Sequence, residues 1–335
     1  MSKEEFYFQW HFTNSCNLRC VHCYQEGYTF KDLPIEKLMC IANQIVEALK
    51  KWNMLGRISL TGGEPFLNPL LLTLVEYFEN KNEIKQIDIL TNGTCITKKH
   101  VDFLKNCTKL HQIQISIDGP TADVHDKVRG KGTFLKVVNS INLLKENGIE
   151  VALMFTLMRQ NKDCAVKVIE FAENMGVHAV TVERVTPCGH SNIKDILSKD
   201  EIRDIYENIT IRANNISNKL KVRRLRPLWI NTCGLNTNLD NKIGGFCPVG
   251  FTSLAILHDG TVLPCRRLEI PIGNVLTDGL FKIWYDSNVL WKIRDKGNLK
   301  GKCHNCVNIE RCGGCRAIAY NTTGDYMGED VQCWI

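Results

Sequence analysis

The sequence predicts an α/β chain in which a partial (β/α)6 TIM-like barrel is followed by a small cysteine-rich domain. Three observations predict it. From residue 6 to about 216, short β-branched or aromatic runs alternate with stretches of 3.6-residue apolar period. Polar residues or glycine stand at or near the carboxyl end of each such run, where ligands gather in a parallel sheet. The last ninety residues, from 246 to 335, change character and hold seven of the sixteen cysteines.

In order, the predicted strands are FYFQWHFT, RISLTGG, IKQIDILTNG, LHQIQISIDG, EVALMFTLM and AVTVERVTP. Helices lie between them. PIEKLMCIANQIVEALKKW opens on Pro34, and GTFLKVVNSINLLKENG closes on Gly148. Strict alternation implies parallel strands joined by right-handed crossovers, and six units suit an open barrel better than a closed eight-stranded one. The pattern dissolves after ITIRANNIS, so the chain divides into a barrel at 1–216, a bridging segment at 217–245 and a second domain at 246–335. In the last of these, TSLAILHDGTVLPC reads as a hairpin turning at Asp259-Gly260. A unit so poor in core residues needs a metal to hold it together.

With 335 residues, 44% hydrophobic and 23% charged, the composition is that of an ordinary globular protein. The N-terminus MSKEEFYFQW has no secretory order, and no apolar run reaches the roughly 18 residues of a membrane span. A cytoplasmic location follows, with no membrane partner. In a reducing compartment sixteen cysteines are not a disulfide framework, so clustered ones point to metal. The net charge of +6 counts every thiol as neutral. Ten thiolates holding three clusters of about +2 each would leave the loaded protein near +2, so no nucleic-acid partner is implied. The run KLKVRRLR at 219–226 reads as a strand or linker with a solvated face, or else as an anion site.

The strand ends gather the chemistry. After the first strand come Cys16, Cys20 and Cys23; then TGGEP, TNG and SIDG; then Thr156; and after the sixth, ERVTPCG. Three thiols are one short of the four that zinc or an iron-sulfur cubane takes, so the triplet is either incomplete or open.

CNLRCVHC, with the spacing C-x3-C-x2-C, resembles the cluster motif of radical S-adenosylmethionine (AdoMet, SAM) enzymes, and TGGEP resembles their AdoMet-binding motif. The resemblance covers nearly the whole chain. It implies that Cys16, Cys20 and Cys23 hold a 4Fe-4S cluster with one iron left open for AdoMet. It also implies that Gly62, Gly63 and Glu64 meet the methionyl amino group. Asn92, Ser116 and Asp118 are then candidates for the ribose and methionyl groups, and Arg129, in HDKVRGKGTF, for the AdoMet carboxylate. Arg184, in ERVTPCG, either approaches AdoMet or makes an ordinary salt bridge. His22 is expected to pack beside the cluster without binding it.

The pattern of the second domain, Cys247, Cys265, Cys303-x2-Cys306-x5-Cys312-x2-Cys315 and Cys333, resembles the SPASM domain of auxiliary iron-sulfur clusters. Its last internal spacing of two departs from the more usual three. The resemblance implies one cluster on Cys303, Cys306, Cys312 and Cys333, and three corners of another on Cys247, Cys265 and Cys315. That makes three 4Fe-4S clusters in all. The missing corner falls to Cys233, to substrate or to a small molecule. Structural zinc is the alternative, although it leaves Cys247, Cys265 and Cys333 unexplained. Of the remaining cysteines, Cys40, Cys107 and Cys164 are expected to pack against helices. Cys95 and Cys188 follow strands on the reactive side, and Cys188 is the candidate catalytic hydrogen donor or substrate contact.

The function implied is reductive cleavage of AdoMet to a 5'-deoxyadenosyl radical and abstraction of hydrogen from a peptide or protein, leading to crosslinking, oxidation or epimerisation. A flavodoxin or ferredoxin would supply electrons. Two alternatives stay open: modification of a tetrapyrrole side chain, using Arg266, Arg267 and the basic run, and an iron-sulfur electron-transfer protein without AdoMet chemistry.

Overall fold

The computed structural model describes residues 3–28, 32–216, 220–223 and 247–335, and the main chain of 229–231 and 242–244. Cys233 lies outside the described residues, as do residues 219 and 224–226 of the basic run, whose described part, 220–223, includes a short strand at Lys221–Arg223.

Strand β1 (Glu5–Thr13) alternates its side chains with a period of two. Phe6, Phe8, Trp10 and Phe12 point into the apolar layer beneath the helices and are buried. Tyr7 and Gln9 take the other face and line an internal cavity. β2 (Leu55–Gly62), β3 (Ile84–Thr91), β4 (Leu110–Ser116), β5 (Val151–Leu157), β6 (Ala179–Arg184) and the short β7 (Lys221–Arg223) follow in spatial order, every neighbouring pair parallel. All six strands expected from sequence are present. The helices between them are α1 (Ile35–Trp52), α2 (Leu71–Glu79), α3 (Lys98–Leu104), α4 (Ala122–Arg129), α5 (Thr133–Glu146), α6 (Ala165–Asn174) and α7 (Lys199–Asn214). α1 shows the logic of all of them. Leu38, Ile41, Ala42, Ile45 and Leu49 recur at helical spacing and are all buried, and the helix stops where Asn53 turns left-handed at φ 53°. Among the described residues, no helix is long and apolar enough to cross a membrane.

β8 (Trp229–Asn231) and β9 (Lys242–Gly244) form a separate antiparallel pair. Next comes the hairpin of β10 (Ser253–Ile256) and β11 (Thr261–Leu263), with β12 (Gly273–Asn274) alongside. Its turn is as expected, with Gly260 at φ 87° and the Asp259 carboxylate accepting from Thr261 N at 3.0 Å. The hairpin does not stand apart. β10 pairs parallel with β1, Tyr7 opposite Ser253, so the barrel sheet continues into the cysteine-rich region as ten strands.

The core is continuous as well. α8 (Leu280–Asp286) brings Trp284 to 4.9 Å from Phe6 and 5.5 Å from Trp52, ring to ring. Leu254, Ile256, Val262, Leu280 and Ile283 also join the barrel core. α9 (Asn288–Arg294) and α10 (Arg316–Thr323) complete the region over a smaller cluster that includes Val249, Leu268, Leu299 and Met327. Its apolar residues are therefore divided between the shared core and a small local one.

Closed barrels fill their interior with branched apolar side chains. This interior is instead lined by Tyr7, Gln9, Ser59, Gln114, Thr181 and Ser253, and encloses about 1600 Å³.

Candidate metal and cofactor centre

The triplet sits on the loop that leaves β1. Asp32 anchors that loop, accepting from Thr13 Oγ1 at 2.9 Å, Asn14 N at 3.1 Å and Asn68 Nδ2 at 2.8 Å. Gly63 then explains its own identity. Its N–H donates to Thr13 O at 3.0 Å, a methyl group in its place would overlap Ser15 O, and it would stand 2.8 Å from Cys16 Cβ. On the other side Gly189, left-handed at φ 62°, lies against Cys23 and Tyr24, and His190 N donates to Cys23 O at 2.8 Å. The triplet is thus gripped between the ends of β2 and β6.

The sulfurs meet donors. Leu18 N and Gln25 N each lie 3.4 Å from the sulfur two residues back, on Cys16 and Cys23. Arg129 Nη1 stands 3.8 Å from Cys20 Sγ. Burial pushes the Cys16 thiol up to about 11, so without metal it holds its proton at neutral pH. The C-terminal thiols repeat the pattern: Asn308 N and Gly314 N lie 3.4 Å from Cys306 and Cys312, and Arg316 Nη2 lies 4.0 Å from Cys303. All-thiol donor sets with N–H groups and one arginine aimed at sulfur fit iron-sulfur clusters, whose negative charge such donors stabilise. Cys247 feels Cys265 and Cys315, whereas Cys312 feels Cys303 and Cys333. These neighbours belong to the two groups that the resemblance implies. Among the described residues no three Cys, His, Asp or Glu side chains converge as ligands of a single metal ion.

The remaining predicted site residues divide by what holds them. Gly62, Gly63, Asn92, Ser116, Arg129, Arg184 and Cys188 line the cavity beside the triplet. Asn92 donates to Asn17 Oδ1 at 3.0 Å and reaches Cys16 Sγ at 4.0 Å. Glu64 is fully buried and turned into the β3 loop, accepting from Phe66 N, Thr91 Oγ1 and Asn92 N at 3.0, 2.7 and 2.8 Å. Burial lifts its carboxyl to about 7 against those three donors. Asp118 is also fully buried. It accepts from Arg129 Nε at 2.6 Å and Thr156 N at 3.0 Å, with His22 Nε2 at 3.7 Å. Burial raises its carboxyl, but Arg129 and these neighbours outweigh burial and hold it below the usual range. Asp118 therefore aims Arg129 at the cavity, and His22 packs against that pair.

Arg184 is engaged elsewhere, in a bidentate pair with Asp330. This is the salt-bridge alternative of the sequence. Cys188 is buried between the triplet and Cys265, its thiol pushed up to about 11 by burial. Cys107 and Cys164 pack as expected; Cys95, expected on the reactive side, packs against the core as well, and Cys40, expected to pack, is exposed on α1.

Sequence reasoning passed over Asp32, Tyr24, Glu183 and Asp330. Tyr24 follows Cys23 directly and carries the Arg266 guanidinium 4.3 Å from its ring centre, so that the residue after Cys265 touches the residue after Cys23. Adjacency to predicted ligands was a usable signal there. None marked Asp330.

A family profile described as the radical SAM superfamily matches residues 10–172, and one described as an iron-sulfur cluster-binding domain, SPASM, matches residues 247–307. Among curated proteins the chain is 28% identical to an AdoMet-dependent heme synthase of Methanosarcina barkeri, over 97% of this chain and 95% of that one. It is 26% identical to the antilisterial bacteriocin subtilosin biosynthesis protein AlbA of Bacillus subtilis, over 96% of this chain and 69% of that one. The fold matches that of Streptococcus suis SuiB bound to S-adenosylmethionine, with a TM-score of 0.79, 18% identity and coverage of 99% of this chain and 78% of that one.

Proposed function

Because the chain belongs to the radical SAM superfamily and carries a SPASM iron-sulfur domain, we propose that it is a radical SAM maturase acting on a peptide or protein held in the barrel cavity. The observation that carries this reading is that one cavity is lined both by Cys16, Cys20 and Cys23 and by Cys247 and Cys265. A substrate there lies between the two thiol sets.

The triplet would hold the AdoMet-binding cluster. Cys303, Cys306, Cys312 and Cys333 would hold a second cluster, and Cys247, Cys265 and Cys315 a third. Bound together, the first cluster and AdoMet would supply the chemistry of reductive AdoMet cleavage and hydrogen abstraction. The chain's own residues prepare for this. Asp118 fixes Arg129 for a carboxylate, Asn92 and Ser116 offer polar edges, and the loops from β2 and β6 fix the triplet. A flavodoxin or ferredoxin would deliver the electrons.

The electrostatics of the cavity favour a peptide over a polyanion. Arg57 and Lys85 face Glu5, Arg266 faces Glu269, Arg267 faces Glu183, and Arg129 and Arg184 face Asp118 and Asp330. Arg57 and Lys85 share the one carboxylate, and Arg223 Nη1 donates to Gln112 Oε1 at 3.0 Å; between these pairs the lumen presents amides and hydroxyls suited to peptide groups. The identity to the heme synthases favours a second reading, modification of a tetrapyrrole side chain.

Anaerobic reconstitution with reductant and AdoMet is expected to yield 5'-deoxyadenosine, and Cys20→Ala to reduce it to background. A wild-type protein that binds iron and sulfide but never cleaves AdoMet would be an electron carrier instead. Mass spectrometry then decides the substrate. A two-hydrogen loss or solvent deuterium uptake in a peptide encoded beside the gene supports the first reading, and carbon dioxide released from a propionate-bearing porphyrin supports the second.

A further inference from the structure

β6 ends in two adjacent residues of opposite charge, and each meets its complement in the cysteine-rich region. Glu183 Oε2 accepts from Arg267 Nη1 at 2.8 Å, and Arg267 stands two residues after Cys265. Arg184 grips both oxygens of Asp330, at 3.0 and 2.9 Å, with side chains 2% and 0% exposed, and also donates to Gln332 Oε1 at 3.1 Å. Asp330 passes the hold onward. Its carboxylate accepts from Cys315 N at 3.0 Å, and its carbonyl accepts from Cys333 N at 3.0 Å.

Two of the three thiols of the Cys247, Cys265 and Cys315 set are therefore tied to one strand end, one through each charge. A buried ion pair gains little over apolar packing of the same volume, but it admits far fewer registers. Dovetailed pairs from consecutive residues admit fewer still. Arg267 is itself surrounded by Cys265, Cys315 and Cys247, with Glu183 as its carboxylate partner. Glu183 thereby sets the net charge beside that thiol set.

We propose that Glu183 and Arg184 are positioning residues for the auxiliary centre of Cys247, Cys265 and Cys315: Arg184 fixes its place against the cavity wall, and Glu183 sets its reduction potential. The inference rests on the three-cluster reading above. Removing a negative charge beside a cluster stabilises its more negative, reduced form, so loss of Glu183 raises the potential.

The test uses the full chain with Cys16, Cys20 and Cys23 changed to Ala, so that only auxiliary clusters contribute to the spectrum. Iron content and an EPR-monitored redox titration are read for further variants in that background. Glu183→Gln, at a partly exposed position, is expected to keep its iron while one of the two auxiliary midpoints moves upward and the other stays. Glu183→Asp restores the parent value. Arg184→Lys, which loses the two-pronged grip, is expected to lose one cluster's share of iron. Unmoved midpoints in Glu183→Gln overturn the inference, whether or not Arg184→Lys folds. Cys265→Ala separates the two levels. If it leaves iron unchanged, the three-cluster reading fails and the inference fails with it. If it removes one cluster while the Glu183 and Arg184 variants match the parent, only the inference fails.

Discussion

The N-terminal triplet is packed into place, whereas the C-terminal thiols are tethered by charge. Asp32 anchors the loop ahead of Cys16, and at Cys16 and Cys23 themselves the restraints are close backbone contacts, at Gly63 and Gly189, where a single methyl group would collide. Around Cys265 and Cys315 they are the pairs Glu183–Arg267 and Arg184–Asp330, reaching from β6 to residues distant in sequence. Contact of the first kind is short-ranged and carries no charge, which leaves the electrostatics beside the triplet to Arg129 and Asp118. Tethers of the second kind span a longer gap, and they place charges where they bear on the thiols they hold.

The comparison is tested most severely at Arg184. Arg184→Met leaves Asp330 ionised, buried and unpaired, and is expected to cost about 3–5 kcal/mol in denaturant unfolding of the apo chain. The double variant Arg184→Met, Asp330→Leu is expected to recover most of that loss. If it does not, the tether acts through packing and the contrast collapses.

A second test falls on a buried carboxyl of the packed side. The Glu64 carboxyl, at about 7 when folded and near its ordinary 4.5 when unfolded, holds its proton more tightly in the folded chain between those values. Stability must therefore fall as pH rises through that window, by on the order of 3 kcal/mol, and level off above it. Glu64→Gln should flatten that part of the profile. An unchanged slope would show that Glu64 is solvated in solution.

Smaller still, Gly63→Ala is expected to destabilise by about 1–3 kcal/mol and to lower the iron held by the triplet, because the Cys16 loop must shift. Gly27, on the same loop, meets nothing within 4 Å, so Gly27→Ala should change stability by less than about 0.5 kcal/mol. Equal effects at the two glycines would mean that the loop is not packed as described.

Local signals carried much of this architecture. The apolar alternation of β1, the spacing of α1 and the turn at Gly260 depend on neighbours in sequence, and each lies where the pattern indicated. The cysteines were legible because their spacing is itself local. What escaped depends on partners far along the chain. Nothing in SLAI says that it lies parallel to β1, and nothing around Asp330 says that its counterion is 146 residues away. Glu64 was legible as a site residue, but not its orientation, since the three donors that turn its carboxylate toward β3 come from a backbone bend and a neighbouring strand.

The parallel seam between β1 and β10 covers what would otherwise be an edge of the barrel sheet. β1 is rich in aromatic residues, and without β10 one whole side of it would be a bare edge of unsatisfied N–H and C=O groups, a template for other chains. With the hairpin in place, that edge moves outward to β12, only two residues long. The cysteine-rich region thus covers the edge of the strand that delivers the triplet, in addition to carrying its own thiols.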